Sequence, residues 1–225
     1  MRIKNLLLLC AFLLMSGEAM AQESTTSLSA TNTKVVPGFP AQKEAKISFE
    51  VPATIGGWQM ELVLPDGITL ESESGELEVG TKPDTGWPAA TIFPNVKPSS
   101  LHKNHKLIGG VNTDGNVLLV CVPTANEEAI TKTSGQLCTI KLKAFDSFKD
   151  KGTQTVTIKK FIASDPTGDK TYEAEDVTFK IVELKYDVDG NGQVNVYDIR
   201  KLINEYLNKT KTVFDIRKAV NEYIL

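Results

Sequence analysis

The chain of 225 residues carries 25 basic and 28 acidic side chains, for a formal net charge of −3 at pH 7, and 7% of its residues are aromatic. A mildly acidic chain with interspersed charges lacks the basic stripe of nucleic-acid-binding proteins, which argues against nucleic acid as a partner. The length fits one ordinary domain together with a small module.

The first 21 residues have the pattern of a secretory signal peptide. Arg2 and Lys4 form a basic start, residues 6–15 form an apolar run, and Ala19-Met20-Ala21 provides an A-x-A cleavage site. The apolar run is too short to span a bilayer, and no later segment reaches the roughly eighteen apolar residues of a membrane helix. We therefore expect cleavage after Ala21 and a mature protein that is secreted, periplasmic or at the cell surface.

Between residue 26 and about residue 185 the sequence predicts strands. Apolar and polar residues alternate in AKISFEV, GWQMELVLP, CTIKLKA, TVTIKKFIA and DVTFKIVEL, as is typical of antiparallel strands with one face in water. Turn sequences such as PDG and DPTGD separate these segments. The fold class predicted is mostly β, an antiparallel jelly-roll or β-sandwich. The inward-facing positions predicted by the alternation are Ile47, Phe49, Val51, Trp58, Met60, Leu62, Leu64, Cys138, Ile140, Leu142 and Ala144.

Two cysteines, Cys121 and Cys138, remain after removal of the signal peptide, and both lie in predicted strands. Export would permit a disulfide between them. Cysteine also packs as a small buried hydrophobe, and we favour two buried thiols. Cys10 lies inside the apolar run of the signal peptide behind bulky leucines, which makes lipidation there the weaker interpretation.

Residues 187–198, DVDGNGQVNVYD, have the spacing of a calcium-binding loop. Such a loop supplies oxygen ligands from positions 1, 3, 5, 7, 9 and 12, with a glycine at position 6 for a sharp turn. Gly192 occupies position 6 here. An Asx-rich turn before a helix, with Asn195 as N-cap, is the alternative. The predicted ligands of one calcium ion are Asp187, Asp189, Asn191, the backbone carbonyl of Gln193, Asn195 and Asp198.

A helical pattern follows the loop and is then repeated. VYDIRKLINEYL at 196–207 recurs as VFDIRKAVNEYI at 213–224, an internal repeat with a period of 17 residues. The second copy has no loop, because Tyr206 and Lys209 stand where Asp189 and Gly192 stand in the first. Only Asp215 remains a plausible ligand there, so that one calcium ion is predicted rather than two. The apolar helical face predicted in the first copy consists of Val196, Ile199, Leu202, Ile203 and Leu207.

The loop and the two helices resemble dockerin modules of anaerobic polysaccharide-degrading bacteria. That family has calcium loops of the form D-x-[DN]-x-[DN]-G-x-[IVL]-[NS]-x-x-D, each followed by one helix, with no helix before the loop. Residues 187–207 match this pattern and residues 213–224 match the second helix, while the lost second loop departs from it. The run VTFKIVELKY before the loop predicts a strand, as the absence of an entering helix requires.

The dockerin resemblance implies docking to a cohesin domain through residues near the start of each helix. The apolar side chains near the start of each helix could be exposed anchors for a partner or contacts buried within the chain. We expect burial for Val196 and Val213 and partner contact for Tyr197 and Phe214. The matching positions in this chain are Val196, Tyr197, Arg200, Lys201, Val213 and Phe214.

Residues 26–184 are similar to cohesin-like domains, which share a sandwich with certain carbohydrate-binding modules. The similarity lies in the hydrophobic pattern and in the motif within GGWQMELVLPDGITL. The chain thus divides into a signal peptide (1–21), a cohesin-like domain (22–183) and a dockerin module (184–225). No Ser/Thr/Pro-rich spacer separates the last two, and we expect them to pack together as one body.

The leading functional hypothesis is an exported, non-catalytic scaffold or adhesion protein in a polysaccharide-degradation context. Its partner would be a cohesin-type domain or its own sandwich. A carbohydrate-binding module is the alternative, with Trp87 as the best candidate for stacking on a glycan. An enzyme or glycoside hydrolase accessory is a remote third, because no nucleophile–base pattern and no defined carboxylate pair is evident. His102 and His105 are assigned to a surface loop.

Overall fold

The computed structural model describes residues 25–39, 44–70, 96–102, 104–112, 114–124 and 129–224. The predicted signal peptide and Trp87 lie outside these residues, and both stay predictions. In the described part of the chain, neither of the helices has the length and apolar character that a membrane span requires.

Strands make up most of the described chain, and two helices follow them. The strands are β1 (Ser27–Ala30), β2 (Thr33–Val35), β3 (Glu44–Glu50), β4 (Gly57–Val63), β5 (Ile68–Leu70), β6 (Val96–Pro98), β7 (His105–Val111), β8 (Val117–Pro123), β9 (Ser134–Ala144), β10 (Thr153–Ser164), β11 (Thr171–Ala174) and β12 (Val177–Glu183). The helices are α1 (Val196–Leu207) and α2 (Val213–Ile224).

The strands form two sheets. The first has the order β1-β3-β9-β5, with β6 also paired to β9, and the second has the order β2-β12-β10-β4-β8-β7, with β11 also paired to β10. The pairing of β2 with β12 is parallel, and the other described strand pairings are antiparallel. One hydrophobic cluster contains residues of both sheets. The predicted mostly β class is confirmed.

The core contains the residues that the alternating pattern places inside. Met60 and Leu62 of β4 and Ile140 of β9 are fully buried, and removal of such apolar surface from water is the main force that holds the sheets together. Cys121 and Cys138 are buried as free thiols, as expected of small hydrophobes. Burial raises the pKa of Cys121 to about 12, so that this thiol is inert at neutral pH.

The assignment of the histidines to an exposed surface loop is wrong. His102 is only 3% exposed, and its Nε2 accepts a hydrogen bond of 3.0 Å from the indole Nε1–H of Trp58. Burial lowers the pKa of His102 to about 4 and keeps the ring neutral. His105 is half-buried, with its Nε2 2.9 Å from the carbonyl oxygen of Gly56. Both rings satisfy buried polar groups, which the spacing LHKNH does not reveal.

A second, smaller hydrophobic cluster joins the helices to the sandwich. It contains Val36, which follows β2, together with residues of the chain after β12 and of both helices. The backbone N–H of Leu184 donates to the carbonyl of Val35 at 2.8 Å and so extends the β2–β12 pairing towards the helices. We call this group the junction cluster; its buried members are Val36, Leu184, Tyr186, Val194, Leu202 and Ala219.

Candidate functional site

The loop between β12 and α1 is organised around the carboxylate of Asp187. Its Oδ1 accepts hydrogen bonds from the backbone N–H groups of Gly190 and Asn191, at 2.9 and 3.1 Å. Its Oδ2 accepts from the N–H of Gly192 at 2.6 Å. Gly190 and Gly192 have φ angles of +71° and +84°, which residues other than glycine rarely adopt. The sharp turn predicted at Gly192 is therefore present, and Gly190 adds a second one.

Asp198 closes the other end of the loop from the first turn of α1. Its Oδ2 accepts from the N–H of Asn195, and its Oδ1 accepts from the N–H of Val188, both at 2.9 Å. The side-chain oxygen of Asn195 accepts in turn from the N–H of Tyr197 at 2.7 Å. This reciprocal arrangement is a capping box, which satisfies free N–H groups at the start of α1. The N-cap role considered for Asn195 is therefore present, and the ligand role of its side chain stays a prediction.

Two of the loop carboxylates are buried without a positively charged neighbour. Asp187 is 4% exposed and Asp198 is fully buried, and one oxygen from each lies within 4.8 Å of one oxygen of Asp189. Among the described residues, no lysine or arginine forms an ion pair with either buried carboxylate. Burial raises the pKa of Asp187, and the carboxylates of Asp189 and Asp198 add to this effect.

The chemistry of this donor set fits a hard divalent cation. Buried carboxylates are costly unless they are paired or coordinate a metal, and calcium prefers six to eight oxygen ligands. Asp189 and Asn191 are exposed at the loop surface. The Oδ1 of Asn191 accepts from the N–H of Gln193 at 3.0 Å and fixes that residue's backbone within the loop. Of the ligands predicted from the sequence, the structure brings together the carboxylates of Asp187, Asp189 and Asp198.

The second repeat keeps the cap and lacks the loop. The N–H and the hydroxyl of Thr212 both donate to Oδ2 of Asp215, at 2.9 and 2.7 Å. These bonds lower the pKa of the Asp215 carboxyl. Asp215 therefore starts α2 in the way that Asp198 starts α1. Thr212, three residues before Asp215, is the sequence signal for this capping role.

The outer surfaces of α1 and α2 are apolar and basic. Val196 and Val213 are 64% and 61% exposed, so that the expected burial of these two side chains is wrong. Tyr197 and Phe214 are each 59% exposed, and their contact with a partner stays a prediction. We call this surface the helix face; its exposed members are Val196, Tyr197, Arg200, Lys201, Val213, Phe214, Arg217 and Lys218.

The exposure of Val196 follows from the way in which α1 packs. Leu202 is buried and Ile199 is half-buried, and these two positions suffice to pack α1 against the junction cluster. Ile203 and Leu207, which the helical pattern also assigns to the buried face, are 40% and 69% exposed. A two-helix module offers too little surface to cover a whole apolar face. The uncovered part of that face is available for binding.

The junction between the loop and the sandwich includes a contact that the sequence analysis did not predict. Phe39, after β2, lies directly against Gly190 of the loop, where any added Cβ would overlap its ring. Val36 belongs to the junction cluster on the same segment. The sequence VVPGF at 35–39 contains the signal, two apolar side chains flanking a turn, but their partners lie about 150 residues further along the chain.

Glu222 of α2 lies in this junction as a half-buried carboxyl group. The N–H of Tyr186 donates to it, but its Oε1 has no hydrogen-bond partner among the described residues. Burial raises its pKa from 4.5 to about 7, with Lys34 acting against the shift and Glu183 and Asp187 adding to it.

We expect Glu222→Gln to stabilise the protein above pH 7 and to have little effect near pH 4. The pKa of Glu222 is raised in the folded state. The contribution of Glu222 to stability is therefore greatest below pH 4.5 and is lost as the pH rises through about 7. The amide removes the charge, and partial exposure limits the gain to about 1 kcal/mol. Thermal unfolding of both proteins across this pH range, at fixed calcium, measures the difference. A variant that is less stable than the parent at pH 8 would contradict this expectation.

The residue proposed for glycan binding is not among those that the structure describes. Trp58 is 3% exposed and belongs to the core, as its alternation with Met60 predicts. Trp87 lies outside the described residues. Among the residues that the structure describes, no exposed tryptophan is present.

Comparisons with known proteins identify similar folds. No protein-family model matches the sequence, and no curated protein matches it significantly. The structure is similar to a cohesin module of a family 33 glycoside hydrolase from Clostridium perfringens, at 10% identity and a TM-score of 0.49, over 71% of this chain and 97% of that one. CaCohA2 from Clostridium acetobutylicum matches at 15% identity and a TM-score of 0.49, over 72% and 92% of the chains.

A third match is the non-cellulosomal cohesin of the archaeon Archaeoglobus fulgidus, at 13% identity and a TM-score of 0.45, over 71% of this chain and 92% of that one. All three proteins are cohesins by name, and each match covers about 70% of this chain. At such identities and TM-scores the matches show a likeness alone.

Proposed function

We propose that this chain is a non-catalytic recognition protein whose calcium-stabilised helix pair docks onto a cohesin-type domain of a partner protein. The observation that carries the proposal is the exposure of the helix face. Four large apolar side chains at repeat-related positions, Val196 with Val213 and Tyr197 with Phe214, are each about 60% exposed. Neighbouring exposed hydrophobic residues, as at the start of each helix, mark interaction sites, and aromatic residues with arginine are the usual anchors of protein interfaces.

The charged residues of the helix face support the same function. Arg200 and Lys201 in α1 recur as Arg217 and Lys218 in α2, and all four are exposed. The ammonium group of Lys218 lies 4.4 Å from the centre of the Phe214 ring, a cation–π contact that holds both side chains at the surface. Exposed basic side chains near apolar ones steer an acidic partner and fix its orientation.

Calcium has a structural role in this proposal. The loop oxygens of Asp187, Asp189, Asn191, Gln193, Asn195 and Asp198 would hold one ion. The ion would neutralise the buried carboxylates of Asp187 and Asp198 and fix the start of α1, which carries Val196 and Tyr197. Such a loop is unstable without its cation. Metal binding and folding of the helix pair would therefore be coupled. No step of chemistry is assigned to the ion.

Export through the signal peptide and a role in polysaccharide degradation form part of the proposal. They are supported by the sequence pattern of residues 1–21 and by the dockerin-like pattern of residues 187–224. The glycan-binding alternative depends on Trp87 and stays a prediction.

The test is binding of the full mature chain to an immobilised type I cohesin module, with calcium and with chelator. We expect calcium-dependent binding that the double variant Tyr197→Ala/Phe214→Ala weakens by about a hundredfold, as is typical when two interface anchors are truncated. Tyr223→Ala is the matched control, because it removes a similarly exposed aromatic side chain, at 50%, from the far end of α2. Equal binding by the double variant and the control, or no binding by the parent with calcium, would refute the proposal.

A further inference from the structure

The 187–198 loop is in direct contact with an aromatic side chain of the sandwich. The ring of Phe39 lies against Gly190 so closely that a Cβ atom at Gly190 would overlap the Cγ, Cδ1 and Cε1 atoms of the ring. Gly190 stands between the predicted ligands Asp189 and Asn191, while Phe39 lies about 150 residues earlier in the chain. A residue from outside the loop therefore restrains the loop backbone between two of the predicted ligands.

A fixed turn presents Phe39 to the loop. The N–H of Phe39 donates to the carbonyl of Val36 at 3.2 Å and closes a β-turn. This turn has a proline at its second position and Gly38, with a φ of +79°, at its third, as a type II turn requires. The N–H of Gly38 donates to the carbonyl of Ala144, at the end of β9, at 3.0 Å. The turn that follows β2 is thus also tied to a strand of the other sheet, and this limits the movement of Phe39.

The contact with Phe39 supports the carboxylate of Asp187. The N–H of Gly190 donates to Oδ1 of Asp187 at 2.9 Å, and the ring of Phe39 limits the movement of the residue that makes this bond. Oxygens of Asp189 and Asp198 lie close to the same carboxylate, and neighbouring negative charges repel each other. Without a cation this repulsion favours opening of the loop, and the contact with Phe39 opposes the opening.

A loop that is already held in its binding shape binds a cation more tightly. The free energy needed to order a flexible loop is lost from the free energy of binding, so that preorganisation raises affinity. Groups that orient metal ligands without touching the metal typically change metal affinity by about ten- to a hundredfold when they are removed. Phe39 has no side-chain oxygen to offer to a cation, and it acts on the loop through Gly190.

We propose that Phe39 is a positioning residue of the 187–198 loop, so that the sandwich sets the calcium affinity of the helix pair. This inference rests on the proposed function, because it takes the loop to be a calcium site. Linkage between two such events is reciprocal. An ion that binds more tightly when Phe39 is in place therefore also stabilises the contact between Phe39 and the loop, and calcium fixes the helix face in one position relative to the sandwich.

The test is calcium titration of the full mature chain by isothermal titration calorimetry, at a temperature at which each variant is folded. We expect Phe39→Ala to weaken calcium binding by about tenfold. Phe39→Leu, which keeps an apolar side chain beside Gly190, should weaken it less. Val122→Ala is the matched control and should bind calcium like the parent. Val122 is 38% exposed against 37% for Phe39, and it lies in β8, four strands away from β2.

A double-mutant cycle separates positioning from a general loss of stability. Gly190→Ala should weaken calcium binding in the parent, because the added methyl group overlaps the ring of Phe39 and because a φ of +71° strains alanine. In the Phe39→Ala background only the strain remains, so the same substitution should reduce the affinity by a smaller factor. If Phe39 served only the stability of the sandwich, its loss would lower the unfolding temperature in chelator, and the two substitutions would act independently on calcium affinity.

The outcomes distinguish this inference from the proposed function. An unchanged calcium affinity in Phe39→Ala, an equal loss in Val122→Ala, or independent effects in the cycle would overturn the inference. If the parent nevertheless binds both calcium and the immobilised cohesin module, the proposed function stands. With excess calcium, Phe39→Ala should bind that module like the parent, because its helix face is unchanged, and it should need about ten times more calcium to do so. A parent that binds no calcium would refute the inference together with the calcium dependence of the proposed function.

Discussion

Asp198→Ala is expected to abolish the stabilisation of the helix pair by calcium, whereas Asp215→Ala should leave it intact. The two residues occupy the same position of the two repeats, and both cap their helices. Asp198 is fully buried and lies beside Asp187 and Asp189, while Asp215 accepts its bonds from Thr212 at the surface. Only the first variant removes a predicted ligand.

Thermal unfolding with excess calcium and with chelator measures this effect. Calcium at about a hundred times its dissociation constant stabilises a protein by about 2.7 kcal/mol, and this increment should be absent in Asp198→Ala. Asp215→Ala loses only its cap, at a cost of about 1 kcal/mol, equally with and without calcium. An equal calcium response in the two variants would show that the 187–198 loop does not bind the ion through Asp198.

Leu202→Ala is expected to destabilise the helix pair severely, and Leu207→Ala is expected to change little. Both leucines lie in α1, but Leu202 is 2% exposed within the junction cluster and Leu207 is 69% exposed. Truncation of a buried leucine costs about 2–5 kcal/mol, because both transfer free energy and packing are lost. Truncation of an exposed leucine usually changes the free energy of unfolding by less than about 0.5 kcal/mol.

Denaturant unfolding in calcium, followed by far-ultraviolet circular dichroism, distinguishes the two leucine variants. In Leu202→Ala the helical signal should be lost at lower denaturant, and binding through the helix face should weaken with it because α1 carries Tyr197. Similar midpoints for Leu202→Ala and Leu207→Ala would mean that the junction cluster does not hold the helices.

Local periodicity was sufficient to predict the interior of the sandwich and the composition of the loop. Alternation places Met60, Leu62 and Ile140 inside because a strand has only two faces, and the structure buries all three. The turn at Gly192 and the closeness of Asp187, Asp189 and Asp198 could be predicted because both depend on spacing within twelve positions. The ligand roles of the loop residues stay predictions.

Features that depend on contacts distant in sequence could not be predicted in this way. The burial of His102 requires the indole of Trp58, which lies 44 residues away. The contact of Phe39 with Gly190 joins parts of the chain that only the β2–β12 pairing brings together. Val196 and Val213 were expected to be buried because apolar periodicity indicates a face, but it does not indicate how much of that face a small module can cover.

Hydrogen exchange of the full mature chain, with calcium and with chelator, tests most directly the claim that one calcium ion folds a recognition module. We predict that removal of calcium lowers the protection of backbone amides in α1, α2 and residues 187–195. The amides of β3 and β9 in the sandwich core should keep their protection. The two results differ because the loop and the junction cluster hold the helices, whereas a separate core holds the sheets. Unchanged protection of α1 and α2 after removal of calcium would contradict the claim.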